Sequence, residues 1–154
     1  MLKMVTPERN ISDFLQKAAK IVEECIVEEF TEWAKADDAY LRANRGFNDQ
    51  TGNLRSSLGA IVAKDGRMVF PTPFNTVLGG TKGSAEGRKM AQQLAAETQG
   101  VIAKIMLAGM DYAQYVEDID SKDVLESRRI QCEREAKGVF DRAMQKAERR
   151  IAQL

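Results

Sequence analysis

The chain reads as one α+β domain, residues 1–154, with a small, mostly antiparallel sheet packed by long helices from both ends. Three observations predict this. Apolar residues recur at three- and four-residue steps near each end, the period of amphipathic helices. Between them, Asp65-Gly66 separates two short apolar runs, the signal of a tight hairpin. The chain has 154 residues, 44% apolar and 30% charged. That suffices for one core and lacks the composition of disorder.

The first helix is expected to start at Thr6-Pro7-Glu8, with Thr6 as cap and Pro7 in the first turn; Asn10 with Asp13 is a second candidate cap. Ile11, Phe14, Leu15, Ala18, Ile21, Val22, Cys25, Ile26, Phe30, Trp33 and Ala34 then form a stripe wide enough to face a core. Lys20, Glu24, Glu28 and Glu32 are expected on a solvated face, and the helix fades between Asp38 and Asn44. Arg45 to Gln50 reads as a polar loop leading into Thr51-Gly52-Asn53-Leu54-Arg55-Ser56-Ser57-Leu58.

Leu58 to Ala63 and Met68 to Phe70 are strand candidates around the turn, whose central residues need positive φ. Pro71 and Pro73 end the pairing. Phe74 to Ser84 reads as a loop rich in Gly and Thr, followed by a helix from about Ser84 to Gln99 with Gly100 as its stop. Val101 to Ala108 is a third strand with Lys104 as its clearly polar member, and Tyr112 to Glu117 a short helical turn. The last helix runs from about Asp123 to the end, with Leu125, Cys132, Ala136, Val139, Phe140, Ala143, Met144, Ala147 and Ile151 as its stripe. No internal repeat or low-complexity linker interrupts this order.

Composition excludes several functions. There is no histidine, so triads, dyads and zinc sites that use it are ruled out. Lys plus Arg and Asp plus Glu both total 23, a balance without the basic footprint of a dedicated DNA binder. Cys25 and Cys132 are expected as reduced core thiols; a disulfide would require their helices to be neighbours. No apolar stretch approaches the roughly 20 residues of a membrane helix. Residues 1–10 show no signal-peptide pattern.

Candidate chemistry is sparse. Gly79-Gly80-Thr81-Lys82-Gly83-Ser84 precedes a helix, but a phosphate loop needs Gly-Lys-Ser/Thr, and here Lys comes before Gly. A mobile surface loop is the expectation. Asp118, Asp120 and Asp123 resemble the start of a calcium loop, yet Lys122 occupies the third ligand position and Arg129 the closing one. An acidic turn at a helix N-terminus explains them. Asp111, Glu117 and Asp118 offer carboxylates for a hydrolytic pair, without a nucleophile or base beside them. The last helix carries Arg128, Arg129, Arg134, Lys137, Arg142, Lys146, Arg149 and Arg150 on an expected basic outer side, and the first helix is acidic. Such complementarity can act within one chain or order neighbours in a ring.

Two segments carry a resemblance. Thr51-Gly52-Asn53-Leu54-Arg55-Ser56-Ser57-Leu58 is similar to the Thr-Gly-Asn/Arg-Leu-Arg-x-Ser-Ile/Leu segment of tailed-phage tail-completion and head–tail joining (neck) proteins. Tyr112-Ala113-Gln114-Tyr115-Val116-Glu117 resembles that family's Tyr-Ala-x-Tyr/Trp-Val-Glu segment, and the order of elements matches. Family members often continue with Phe-Gly-Thr and a later Pro-bearing run, where this chain has Asp118-Ile119-Asp120 and no such run.

The resemblance implies a structural, non-catalytic virion subunit, made in the host bacterial cytoplasm and placed in the neck or tail. It would form a homo-oligomeric ring that meets the portal or connector and the tail-tube or tail-terminator proteins. Non-specific contact with channel DNA, no membrane, no cofactor and no metal complete the expectation. The interaction residues would be Thr51, Gly52, Asn53, Leu54, Arg55, Tyr112, Tyr115 and Glu117. Read physically, Thr51 caps a short turn, Gly52 eases its entry, and Leu54 and Leu58 point inward. Tyr112, Tyr115 and Val116 pack a turn onto the sheet, and Glu117 meets a backbone amide or an arginine such as Arg55. The Phe74 to Ser84 loop is expected to order on assembly. Two other classes stay open: a small carboxylate-dependent enzyme and a nucleic-acid-binding helical module using Arg128, Arg129, Arg149 and Arg150.

Overall fold

Asp65 and Gly66 reverse the chain with φ of 50° and 78°, the positive values that a two-residue hairpin turn demands. The computed structural model describes residues 8–43, 46–48, 50–118 and 122–154. Its elements are α1 (Glu8–Ala43), α2 (Asn53–Ser56), β1 (Leu58–Lys64), β2 (Arg67–Pro71), α3 (Thr81–Ala96), β3 (Ile102–Ala108), α4 (Ala113–Asp118) and α5 (Glu126–Ile151). The strands form an antiparallel sheet in the order β2-β1-β3, as the α+β reading requires. A register shift between Val62 and Ala63 marks a bulge against the edge strand β2. Beyond Pro71, Thr72 continues the pairing: its N–H donates to Ala60 O, and its Oγ1 accepts from Ala60 N.

Both faces of the sheet are covered, which explains the uninterrupted apolar run in β1. Ile61, Ala63, Ile105 and Leu107 meet Ala91 and Ala95 of α3 together with Phe74. Ala60, Val62, Ile102 and Met106 meet Phe30, Ala34 and Val139 from α1 and α5. A third cluster of Leu41, Phe47, Leu54, Leu58, Met110 and Val124 closes one end of the sheet, with Val116 packed against it. That cluster positions α2 and α4.

α1 and α5 run antiparallel. Arg128 pairs with Asp37, Phe140 stacks edge-on with Phe30 at 5.4 Å, and Arg150 pairs with Glu28. The acidic and basic flanks therefore meet within the chain. Glu28 belongs to this seam and not to a solvated face: it accepts from Arg150 and Lys146, and Glu29 accepts from Arg142 and Lys146. Cys25 and Cys132 are buried free thiols, although their helices are neighbours.

Several expectations are corrected. Thr6 and Pro7 lie outside the described residues, and Asn10 sits inside α1, so it is no cap. Residues 8–17 are exposed at every position, because α5 ends level with the region of Cys25 and leaves Ile11, Phe14 and Leu15 without a core to face. Phe140 and Met144 of the last stripe are likewise exposed.

α3 starts at Thr81, not Ser84. Its glycines are sites of close approach: a Cβ on Gly83 would lie 1.9 Å from Asn53 O, and one on Gly80 2.5 Å from Gly52 O. Arg128 is buried and not on a basic outer side, while α5 itself begins three residues later than expected.

Candidate interaction groove

The first motif segment is a frame. Gly52 has φ 72°, and a Cβ there would lie 1.8 Å from Val77 O, so only glycine fits. Thr51 Oγ1 accepts from Asn53 N at 3.4 Å, a weak version of the expected cap, since the helical N-cap position belongs to Gly52. Asn53 Oδ1 accepts from Gly83 N at 3.1 Å, closing the first turn of α3 across space. Ser56 Oγ accepts from Val77 N at 2.7 Å. Leu54 and Leu58 are buried as expected. Arg55 is buried too; it donates to Arg42 O at 3.0 Å and lies over the Phe47 ring at 5.0 Å.

These bonds fasten the Phe74 to Ser84 stretch in the single chain. Phe74 is buried with φ 46°, its ring between positions where Cβ atoms on Gly59 and Gly87 would lie 2.5 Å and 2.6 Å away. Thr76 Oγ1 and Ser84 Oγ share a 3.0 Å hydrogen bond. The stretch is thus tied to α2 and the sheet within one chain, unlike the expected mobile surface loop.

The second motif divides its residues differently. Glu117 accepts from the backbone N–H groups of Val124, Leu125 and Glu126 at 3.2, 2.8 and 3.1 Å, capping α5. The backbone-amide alternative holds, and the carboxylate is turned to α5 and not to Arg55. Val116 packs inward, but Tyr112 and Tyr115 are 40% and 56% exposed and do not pack onto the sheet.

The two segments converge. Thr51, Gly52, Asn53 and Leu54 line one wall of a groove of about 600 Å³, and Tyr112, Tyr115 and Val116 line the other. Phe47 and Met110 supply apolar floor, and Lys82 and Lys122 are its charged residues. Arg55 and Glu117 stand behind the walls as supports. Comparison with protein-family models, with curated proteins and with solved structures found no match.

The competing chemistries find little geometry. Among the described residues no group of His, Cys, Asp or Glu could hold a metal ion; Asp120 lies outside them, and Asp123 Oδ1 accepts from Ser127 N at 3.0 Å. Asp111 and Asp118 are exposed and Glu117 is engaged with α5. The amide of Gly83 at the phosphate-loop-like stretch is taken by Asn53. Arg128 pairs with Asp37, Arg129 with Glu126 and Glu133, and Arg150 with Glu28, so three of the four arginines suggested for DNA are drawn inward or paired along the helix. Among the described residues no helix is long and apolar enough to cross a membrane.

Away from the groove lies a polar centre that sequence reasoning missed. Asp37 is fully buried between α1, β3 and α5, bonded to Lys104 Nζ and, at 2.7 Å, to Arg128 Nε. Arg128 also grips Glu135 at 3.0 and 3.1 Å, and Glu135 accepts from Trp33 Nε1 at 2.8 Å. Lys104 Nζ sits 4.0 Å over the Trp33 ring. Cys132 Sγ lies 3.3 Å from Asp37 Oδ1, and burial pushes this thiol up from its ordinary range. The lone Lys in the third strand was the available signal; Asp37 and Arg128 carry none, because charged residues on a helix are usually solvated. For the groove, the isolated Phe47 in a polar loop was the signal passed over.

Proposed function

We propose that this chain is a structural assembly subunit that joins the head connector to the tail in a tailed phage, as a ring of identical copies. The observation that carries the reading is the convergence of the two family-like segments on one groove. Residues of each motif build and brace the walls, while Tyr112 and Tyr115 stand exposed at the rim. Large aromatic side chains around an apolar floor are what protein interfaces use as anchors. The ring would surround the DNA channel, meeting connector on one side and tail-tube or tail-terminator protein on the other. Its place is the virion neck, reached after assembly in the host cytoplasm.

The test is reconstitution. Purified protein mixed with connector or tail-tube protein is expected to give rings or joined particles by electron microscopy and light scattering. A chain that binds neither and turns over a small molecule through its acidic groups would end the proposal.

A further inference from the structure

The groove is not the only unpartnered apolar feature. At the other end of the molecule the first turns of α1 project past the body, with Ile11, Phe14 and Leu15 exposed at 48%, 47% and 60%. Together with Ala18 they stand at i, i+3, i+4 and i+7, the spacing with which an amphipathic helix enters an apolar groove. Apolar surface of this kind on a subunit marks a contact site.

We infer that the projecting end of α1 in one copy docks into the α2–α4 groove of a second copy. The inference deepens the ring reading above and rests on it. Three features of the chain select this occupant. First, the two surfaces share aromatic and aliphatic groups: a stripe of Ile, Phe and Leu faces Tyr112, Tyr115 and Val116, over Phe47, Leu54 and Met110, which are themselves buried in the core. Second, charges agree. Glu8 borders the apolar face of the projection beside Ile11 and Leu15, and Lys82 stands on the groove wall. At 100° per residue, Arg9, Asp13 and Lys20 fall on the opposite face, away from the contact. Third, geometry forbids the contact within one chain. α1 has 36 residues, about 54 Å of rigid helix. Tyr40 and Leu41 at its far end pack in the cluster under the groove, so the tip points away from its own groove. The ring reading requires this contact to be heterologous, head to tail, closing when the rotation between copies permits; a reciprocal exchange would stop at a two-fold dimer.

Complementation of full-length variants by sedimentation velocity tests this. Ile11→Asp/Leu15→Asp removes the tip, and Lys82→Glu/Tyr115→Asp removes the groove; all four positions are exposed, so circular dichroism should match wild type. Each variant alone is expected to associate more weakly than wild type by roughly a hundredfold or more. Mixed together, they are expected to form a one-to-one dimer that grows no further, because one good tip meets one good groove. A mixture that stays monomeric, or a tip variant that associates like wild type, overturns the inference. Undiminished rings from the tip variant would overturn this contact alone and leave the ring reading standing. Dead-end dimers alongside wild-type filaments that never close would keep the contact and sink the ring. A wild type that is monomeric at every concentration sinks both.

Discussion

Asp37 of α1 accepts a 2.7 Å hydrogen bond from Arg128 Nε of α5, and both side chains are shut away from solvent. Lys104 of β3 completes a buried triad on the same carboxylate. Replacing Asp37 by Ala would leave buried Lys104 without its carboxylate and Arg128 with that of Glu135 alone. The expected cost is about 3–5 kcal/mol, the range for breaking one side of a buried pair. Replacing all three with apolar residues of similar size (Asp37→Leu, Lys104→Met, Arg128→Met) should cost far less or even stabilise. Urea denaturation of the single and triple variants measures both, and a triple variant as unstable as Asp37→Ala would refute this account.

The α1–α5 seam should loosen in acid. The hydrogen bond from Arg150 holds Glu28 below its ordinary range, and that from Lys146 does the same for Glu29. A carboxyl with a lowered folded pKa contributes stability above its unfolded value, about 4.3, and loses it as pH falls through the folded value. Stability should therefore drop as pH falls below about 4.3. The Glu28→Gln/Glu29→Gln variant should be weaker at neutral pH and show a shallower acid slope, measurable by denaturant titration at several pH values.

Gly83 sets helix propensity against space. Alanine is a better helix former than glycine by about 1 kcal/mol. Its Cβ, however, would lie 1.9 Å from Asn53 O, a backbone atom that cannot swing aside. Overpacking of this kind costs about 1–3 kcal/mol. Gly83→Ala should therefore destabilise, and a raised melting temperature would show that α3 can back away from α2.

Glu117→Ala removes the acceptor for three amides at the start of α5. A loss of about 0.5–2 kcal/mol is expected, typical of a lost cap. Hydrogen exchange should speed up at Val124, Leu125 and Glu126 before it does in the body of α5.

Tyr112→Ala and Tyr115→Ala separate stability from docking. Both rings are exposed, so each change should alter stability by no more than about 0.5 kcal/mol. Self-association, measured by sedimentation velocity, should weaken by about 2 kcal/mol or more if the rings anchor the neighbouring copy. Unchanged binding in the double variant would remove the groove from the interface.

How far the sequence foretold this fold depended on what each residue was used for. The hairpin was legible because Asp65-Gly66 has a local cause, the positive φ of its turn. The sheet and both long helices followed from periodicity. Gly80 and Gly83 misled, since glycine reads as a helix breaker while here it lets α3 approach α2. The tip of α1 misled in a different way: a periodic stripe shows that a face is apolar, not which partner covers it. Of the motif residues, Leu54 and Gly52 do what their chemistry suggests and Glu117 meets backbone amides as expected, whereas Asn53 caps a helix that lies elsewhere in the chain. Such roles depend on distant geometry and cannot be read from neighbours.

The slot that holds Phe74 has one further consequence. Because the ring lies between Gly59 and Gly87, the strap that follows it is pinned to the body of the subunit at its start. A strap pinned in this way would offer the proposed neighbour a surface set in advance, with little binding strength lost to stilling a loose chain. Speed and selectivity of joining would then depend on how well two rigid outlines match.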